Sequence, residues 1–337
     1  MSILWIGGSS GLARTYLNYY DHTDLILTGV EALPPAWAHD TPYRCIDLRG
    51  HNLIKGCLKE FFNISTIIVG VRAPLVTGNG RHEDLLDGLQ LLLGEAMQLP
   101  NLQRILHISS VAAANHLQAQ VNMKETEPIP PLSSYEGSYD IFKRRSEDII
   151  TALCTAHNKA FCHLRISAIF SDSHDCIQCG ALALQSVAGA YIPTKIDCNS
   201  AKNVAAAISI MLHHRFGGQP VYYYTRPTHD AVPYGDYLLA YRHAYEVYFT
   251  VWIPFPVVVW FVWLVHVLVV HVLGQLSATA MSINYLLQVS AVEHSFNNDL
   301  FRADFPQIVE TQESIYECFR RRRALMTGKS IAEVRSD

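Results

Sequence analysis

The first twelve residues combine an apolar strand pattern with a glycine-rich turn, and this combination constrains the fold more than any other part of the chain. Residues 3–6 are a short apolar run, and residues 7–12 follow as Gly-Gly-Ser-Ser-Gly-Leu. Glycines let a backbone turn sharply and approach a pyrophosphate, and a helix that begins directly after them points its N–H groups at the phosphates. A plain tight turn can have the same sequence, so the interpretation depends on the rest of the chain.

Strand patterns alternate with helix patterns through the first third of the chain. The predicted strands after the first are 24–28, 45–48, 66–71 and 105–108, and a leucine-rich helix is predicted at 84–99. Such alternation is typical of a parallel sheet with helices on both faces. We therefore predict an α/β fold with a Rossmann-like, doubly wound parallel sheet.

The end of the second strand normally identifies the cofactor, because an acidic residue there holds the ribose hydroxyls of NAD. Here that position is Gly29, and Glu31 follows two residues late. No arginine directly follows the strand to hold the 2′-phosphate of NADP, and Arg14 is the nearest candidate cation. The choice between NAD and NADP therefore stays open.

Further positions complete the predicted cofactor site. Asp47 follows the third strand, where an aspartate commonly lies by the adenine, although a surface turn explains it equally well. Val71 ends the fourth strand, at the edge where the cleft should open. The residues predicted to bind the dinucleotide are Gly7, Gly8, Ser9, Ser10, Gly11, Leu12, Asp47, Leu48, Val71, Tyr139 and Lys143.

Tyr139 and Lys143 lie four residues apart in a helical pattern, so both side chains project from one face. Alcohol oxidation needs a base, and a tyrosine with a pKa of about 10 is a poor base at neutral pH. A neighbouring ammonium lowers that pKa. We predict Tyr139 as the acid/base, Lys143 as the group that tunes it and binds the nicotinamide ribose, and Ser110 as the group that orients the substrate. Ser109 is the alternative serine, and ordinary packing is the alternative for the whole group.

These motifs resemble the extended short-chain dehydrogenase/reductases, and more narrowly the 3β-hydroxysteroid dehydrogenase and sterol-4α-carboxylate 3-dehydrogenase (decarboxylating) group. Besides the residues above, the similarity includes residues 127–130, 147–148, 164–170, 203–207, 294–299 and 305–307. It implies oxidation of a 3β-hydroxyl of a sterol, steroid or polycyclic terpenoid with NAD or NADP. In the sterol branch it also implies loss of a C4 carboxylate as CO2.

The chain departs from this family at three places. Asn115 stands where a glycine is usual, and residues 166–173 lack the usual glycines and prolines. Leu85 or Leu86 replaces an asparagine that supports a proton-relay water, which places the relay in doubt. We interpret the chain as a diverged but active enzyme. The alternatives are a ketoreductase or dehydrogenase/isomerase on the same scaffold, and a non-catalytic NAD(P)-binding sensor or scaffold.

A long segment without charges indicates contact with a membrane. Residues 248–292 contain no Asp, Glu, Lys or Arg, and valines and aromatic residues leave no polar stripe. The most apolar part is near the lower length limit for a span, and a buried core helix is the alternative. Because the chain must return to the cytosolic fold, an in-plane anchor or a hairpin with a second arm at 275–292 is favoured. The four arginines at 320–323 suit either lipid headgroups or a solvated helix end.

The predicted organisation follows from these features. The dinucleotide-binding domain is 1–165, the substrate lobe is 166–247 with 294–325, the membrane-associated segment is 248–293, and 326–337 is a mobile tail.

The net charge of −4 gives no reason to expect nucleic acid. The pair Cys176 and Cys179 is attributed to chance, and no metal site is predicted. The expected partners are the lipid-like substrate, membrane lipid and, as an open possibility, a second copy of the chain. The expected location is the endoplasmic reticulum membrane, with the catalytic domain facing the cytosol.

Overall fold

The computed structural model describes most of the chain, and all structural statements concern these residues. They are 2–20, 24–38, 40–71, 81–114, 120–135, 138–171, 195–214, 216, 218–225, 232–245, 254–268, 292–311 and 313–327. The strands are β1 (Ser2–Ile6), β2 (Leu25–Gly29), β3 (Tyr43–Cys45), β4 (Ile64–Val69), β5 (Arg104–Ser110), β6 (Gln120–Met123), β7 (Ala160–Ile166), β8 (Ala168–Phe170), β9 (Lys195–Ile196), β10 (Cys198–Ser200), β11 (Val221–Tyr224), β12 (Val232–Pro233) and β13 (His294–Phe296). The helices are α1 (Gly11–Tyr19), α2 (His51–Ile54), α3 (Arg81–Ala96), α4 (Ser138–Ala156), α5 (Ala201–His213), α6 (Tyr234–Tyr245), α7 (Phe255–Val267), α8 (Asp299–Asp304) and α9 (Ile315–Thr327).

Seven strands form one parallel sheet in the order β11-β7-β5-β4-β1-β2-β3. The chain leaves β1 toward β2 and β3, and then returns to the other side of β1 as β4. This reversal creates a switch point between β1 and β4, where ligands of such sheets bind outside the carboxyl ends of the strands. The predicted doubly wound parallel sheet is confirmed.

The sheet is apolar throughout because both of its faces are covered. Successive side chains of a strand point to opposite faces. Trp5 and Leu106 therefore enter one core with α1 and α5, whereas Leu4 and Ile105 enter the other with α3 and α4. β3 starts and ends earlier than the predicted strand at 45–48, since Asp47 already belongs to a turn in which its carbonyl accepts the N–H of Gly50.

A smaller apolar core joins the middle and the end of the chain. It contains Phe170, Cys198, Leu238, Tyr241, Ala244, Ile315, Cys318 and Phe319. The rings of Tyr241 on α6 and Phe319 on α9 meet edge to face with 5.5 Å between centroids. The core draws on both parts of the predicted substrate lobe, whose exact boundaries stay a prediction.

The edge strand β11 is covered by the C-terminal part of the chain. Its three tyrosines are fully buried, so they show none of the alternating exposure that such a strand favours at an open edge. Tyr222 donates to Asp304, and Tyr224 donates to Oε1 of Glu310 at 2.6 Å. Because the strand is covered on both faces, even its outward-facing tyrosines lie in the interior.

Helix α7 exposes an unusual amount of apolar surface. Trp260 and Trp263 are each 58% exposed, and Phe261 is 51% exposed. Among the described residues, no helix has both the length and the apolar character that crossing a bilayer requires. A membrane span is therefore unsupported, and most of the predicted second arm lies outside the described residues.

The arginines at the end of the chain belong to the protein interior and its ion pairs. Arg320 and Arg322 are buried, and Arg320 pairs with Glu317 at 3.0 Å. Arg321 pairs with Glu313, and Arg323 donates to the carbonyl of Ala244. The expectation that these four residues form a solvated or lipid-facing cluster is wrong, because α9 packs them against α6 and the preceding loop.

Candidate active site

The glycine turn after β1 packs too closely on its neighbours to carry side chains. Gly7 has a φ of +78°, and a Cβ there would lie 2.8 Å from the carbonyl oxygen of Gly70. A Cβ on Gly8 would lie 2.8 Å from Cδ2 of Leu27. The left-handed backbone and the close approach both require glycine. The turn therefore lies directly against the end of β4, at the switch point of the sheet.

The turn leads into a capped helix whose N-terminus faces the same edge. Ser10 is the N-cap of α1, and its Oγ accepts the N–H of Ala13 at 3.4 Å. Thr28 fixes the turn to β2 by accepting from the N–H of Gly7 at 3.4 Å. The side chain of Leu12 packs on the core, so only its backbone can serve a ligand. A helix N-terminus in this position favours an anionic group.

Lys143 is the best-defined member of the predicted catalytic group. It is buried, and its Nζ donates to the carbonyl of Val71 at 3.2 Å and to the carbonyl of Ile108 at 3.1 Å. These carbonyls lie at the carboxyl ends of β4 and β5. Since Val71 follows the Gly70 that contacts Gly7, one short stretch of backbone joins the lysine to the glycine turn.

Tyr139 lies one helical turn before Lys143 on α4. The Nζ of Lys143 is 6.0 Å from the centre of the Tyr139 ring. The ring is partly buried and packs in a small apolar cluster with Val71, Leu86 and Phe142. Leu86 thus packs in the same cluster as Tyr139, at the place where the family resemblance implies an asparagine. We call Ser110, Tyr139 and Lys143 the cleft group.

Ser109 and Ser110 point to opposite faces at the end of β5. The Oγ of Ser110 accepts the N–H of Ala112 at 3.2 Å, and the residue is partly exposed. Ser109 is buried and donates to Oε1 of Glu147 at 2.5 Å. The structure therefore engages Ser109 in the interior, and Ser110 is the serine that stays accessible.

Behind the cleft lies a buried ion pair that sequence reasoning did not identify. Arg165 on β7 donates to both carboxylate oxygens of Glu147, at 2.6 and 2.9 Å, and to the hydroxyl of Tyr223 at 3.1 Å. Burial alone would raise the pKa of Glu147, but Arg165 and the hydrogen bond from Ser109 lower it to about 2. We call Ser109, Glu147, Arg165 and Tyr223 the buried polar cluster. An arginine within the apolar run of β7 is the sequence signal that could have revealed it, since a buried charge requires a partner.

Two histidines extend the polar interior of the sheet. His107 and His163 are register partners on β5 and β7, and their Nδ1 atoms are 3.1 Å apart. Nε2 of His163 is 2.9 Å from Oγ1 of Thr151 on α4. Burial lowers the pKa of His163 to about 4 and lowers that of His107 as well. Both rings are therefore neutral at pH 7 and serve as hydrogen-bonding groups.

The predicted adenine-site residues are engaged within the protein. The carboxylate of Asp47 accepts two side-chain hydrogen bonds from Arg49, each 2.9 Å long, and these lower its pKa. The Leu48 side chain is buried in the core, and its carbonyl lies so close to α3 that Gly88 has no space for a Cβ. Their roles in cofactor binding stay predictions. Asn115, Cys176 and Cys179 lie outside the described residues.

Comparisons of sequence and of structure give different answers. No family model matches the chain, and no curated protein matches it. Among solved structures, "Crystal structure of gox2253" is 15% identical, with 97% of this chain and 98% of that chain covered and a TM-score of 0.72. A GalE-like L-threonine dehydrogenase from Cupriavidus necator, in its holo form, is 12% identical, with 97% and 100% covered and a TM-score of 0.68.

A third solved structure contains a nicotinamide cofactor. It is a short-chain dehydrogenase/reductase superfamily protein from Agrobacterium tumefaciens with bound NAD, 13% identical, with 97% and 99% covered and a TM-score of 0.68. At such low identity these likenesses establish the fold over almost the whole chain. The protein shares its fold with these three solved structures.

Proposed function

We propose that this protein is an NAD(P)-dependent oxidoreductase that acts on an alcohol group. The observation that carries the proposal is the position of Lys143. Its ammonium bonds to carbonyls at the ends of β4 and β5, next to the glycine turn and one helical turn from Tyr139. A cation, a phenol and a phosphate-compatible turn thus meet at one edge of the sheet. NAD-bound proteins with this fold add support.

The residues present fit a dinucleotide. The backbone of residues 7–12 would hold the pyrophosphate, because Gly7 and Gly8 have no side chains to obstruct it and α1 begins at Gly11. Lys143 and the carbonyl edge near Val71 would hold the nicotinamide end. A bound nicotinamide would supply the acceptor for the hydride of the carbinol carbon.

The cleft group supplies the proton chemistry. Tyr139, as the phenolate, removes the proton of the substrate hydroxyl, and the ammonium of Lys143 stabilises that phenolate. Ser110 orients the substrate oxygen by donating its hydroxyl hydrogen. Its acceptor side already receives the N–H of Ala112, which leaves the O–H for the substrate.

We propose a 3β-hydroxyl of a sterol, steroid or polycyclic terpenoid as the substrate group, with loss of a C4 carboxylate where the substrate has one. The sequence resemblance supports this class, and so does the exposed helix α7, because a lipid-soluble substrate and an apolar surface favour the same environment. We further propose that α7 lies in the surface of the endoplasmic reticulum membrane. Exposed Trp260 and Trp263 have the amphipathic rings that favour this interface.

The purified full-length chain tests the enzymatic proposal. It is incubated with a panel of hydroxysterols and triterpene alcohols and with NAD or NADP, and reduced cofactor and ketone are measured together. Formation of equal amounts of both supports the proposal. Reduction of the matching ketones, with no oxidation under any cofactor ratio, would favour the ketoreductase. Cofactor binding without turnover in either direction would favour a sensor or scaffold.

Flotation with lipid vesicles tests the membrane proposal. The wild type should float with vesicles of phosphatidylcholine and phosphatidylserine, and Trp260→Glu with Trp263→Glu should stay in the soluble fraction. Val309→Glu is a control, because Val309 is 81% exposed and is not part of α7. Equal flotation of the double variant and the control would exclude α7 as the anchor.

A further inference from the structure

Three polar side chains converge on the space above Gly29 at the end of β2. A Cβ added to Gly29 would lie 2.6 Å from the hydroxyl of Tyr43, 2.7 Å from Oε2 of Glu31 and 2.7 Å from Oγ of Ser9. Real Cβ atoms do not approach other atoms so closely. The space that a side chain at position 29 would fill is therefore occupied by groups from three other positions.

Glu31 supplies a carboxylate to this space from two residues farther along the chain. Tyr43 on β3 holds it there, since the tyrosine hydroxyl lies 2.9 Å from the backbone carbonyl of Glu31 and 3.2 Å from Oε2. Burial and the charge of Glu31 together raise the pKa of Tyr43 to about 12, so its hydroxyl stays protonated and can donate. Glu31 itself is exposed. Its carboxylate is thus fixed on one side and open to solvent on the other.

We propose that Glu31 is the acceptor for the adenosine ribose hydroxyls, and that Tyr43 and Ser9 position it, so that the protein binds NAD in preference to NADP. This proposal rests on the proposed function, because it assumes that a dinucleotide binds at the glycine turn. It assigns the cofactor choice that the sequence left open. Gly29 stands at the usual acidic position at the end of β2, and Glu31 supplies the carboxylate in its place.

Charge at this place disfavours a 2′-phosphate. Glu31 would face that phosphate directly, and like charges in contact repel. Two described arginines on or near β3 are already paired. Arg44 bonds to Glu60 at 2.8 Å, and Arg49 bonds to Asp47 at 2.9 Å. Neither is therefore a ready counter-charge for a phosphate.

Titration calorimetry of the purified full chain with NAD and with NADP tests the proposal without requiring turnover. The wild type should bind NAD more tightly. Glu31→Gln should weaken NAD binding by about tenfold or more, because it removes a charged acceptor of hydrogen bonds, and should weaken NADP binding less. Tyr43→Phe should reduce the preference by about fivefold, because it removes one hydrogen bond that holds Glu31. Asp24→Asn is the matched control, because it removes an exposed carboxylate at the amino end of β2, opposite to the end that leads to Glu31, and it should preserve the preference.

The outcomes separate this inference from the proposed function. A wild type that binds neither cofactor refutes both. A wild type that binds NADP as tightly as NAD, or more tightly, overturns only the role of Glu31, and loss of that NADP binding in Arg14→Ala would assign the site to Arg14. If Glu31→Gln and Asp24→Asn have equal effects, the preference does not arise from the carboxylate of Glu31.

Discussion

The cleft group and the buried polar cluster share two elements, β5 and α4, and the buried polar cluster also includes Arg165 on β7 and Tyr223 on β11. The two groups use their charges differently. In the buried polar cluster the guanidinium of Arg165 is neutralised by two hydrogen bonds to Glu147. In the cleft group the ammonium of Lys143 is bonded to two neutral backbone carbonyls. Backbone carbonyls orient a cation without adding an opposing formal charge. The first arrangement stabilises structure, and the second is suited to chemistry.

This comparison predicts that Tyr139→Phe has the largest effect of any single change. Turnover should fall by about 10²–10⁴-fold, the usual contribution of a general base. Cofactor affinity and the unfolding midpoint should remain close to the wild type. Steady-state oxidation of an accepted substrate gives the rate, and urea unfolding gives the stability.

Tyr135→Phe is the matched control for Tyr139→Phe. Tyr135 is buried, and its hydroxyl donates to the carbonyl of Ala113 at 2.7 Å. The control should lose some stability and retain its turnover. Undiminished turnover in Tyr139→Phe would show that the cleft group has no catalytic role.

The next largest effect should come from Glu147→Gln, and it should appear in stability. Removing one partner leaves the Arg165 charge buried and uncompensated, which costs about 3–5 kcal/mol. Asp148→Asn is the control, because Asp148 forms an exposed pair with Arg144 and such pairs contribute about 0–1 kcal/mol. Urea unfolding of both variants measures the difference. A loss in Glu147→Gln no larger than in the control would contradict the role given to the buried polar cluster.

Substitution of the two serines should have smaller effects, on stability for Ser109 and on turnover for Ser110. Ser109→Ala should destabilise the fold by about 1–3 kcal/mol, since an oxygen of Glu147 loses a buried donor. Ser110→Ala should change stability by about 0.5 kcal/mol or less and should mainly reduce turnover. Measuring both quantities for both variants sharpens the comparison. If Ser109→Ala lost turnover and kept its stability, the two serines would exchange roles.

The smallest effect should be a change in acid sensitivity. His163 is neutral in the fold with a pKa of about 4, whereas an unfolded histidine has a pKa of about 6.5. The unfolded state therefore binds a proton first, and stability should fall as the pH falls from about 6.5 towards 4. Glu147, whose folded pKa is about 2, adds a second loss below the ordinary glutamate pKa of about 4.3.

His163→Gln should remove its own part of the first loss and leave the second. The part due to His107, whose pKa is also lowered by burial, should remain. Unfolding midpoints measured at pH 7, 5.5 and 4 would show this as a flatter dependence between about pH 6.5 and 4. An unchanged dependence would mean that another group in the fold titrates in this range.

Much of the fold follows from short-range patterns, but the pairing of distant residues does not. The apolar runs of β1, β4 and β5 and the glycine turn predicted the parallel sheet. The pattern at 105–110 could not decide which serine faces the cleft, because alternation along a strand fixes relative faces only. That choice depends on Glu147 and Arg165, which lie far along the chain.

The same limit explains why the burial of β11 and of the arginines at 320–323 cannot be seen in the sequence. A run of three tyrosines favours an edge strand with one wet face, and nothing local to β11 indicates that Asp304 and Glu310 will cover it. Four consecutive arginines likewise predict a solvated surface, because the sequence does not show that α9 packs on α6. At β2, the sequence places Glu31 two residues after Gly29 but does not show where its carboxylate lies. That position becomes clear from Tyr43 on the neighbouring strand, which bonds to the carboxylate.

The cover over β11 has a consequence for synthesis of the protein on the ribosome. Tyr222 and Tyr224 are made about 80 residues before the acidic side chains that accept their hydroxyls. Until those residues emerge, the nascent sheet has an open margin that can associate with other chains. A transcript truncated after β11 would therefore give an aggregation-prone product and not a smaller functional protein.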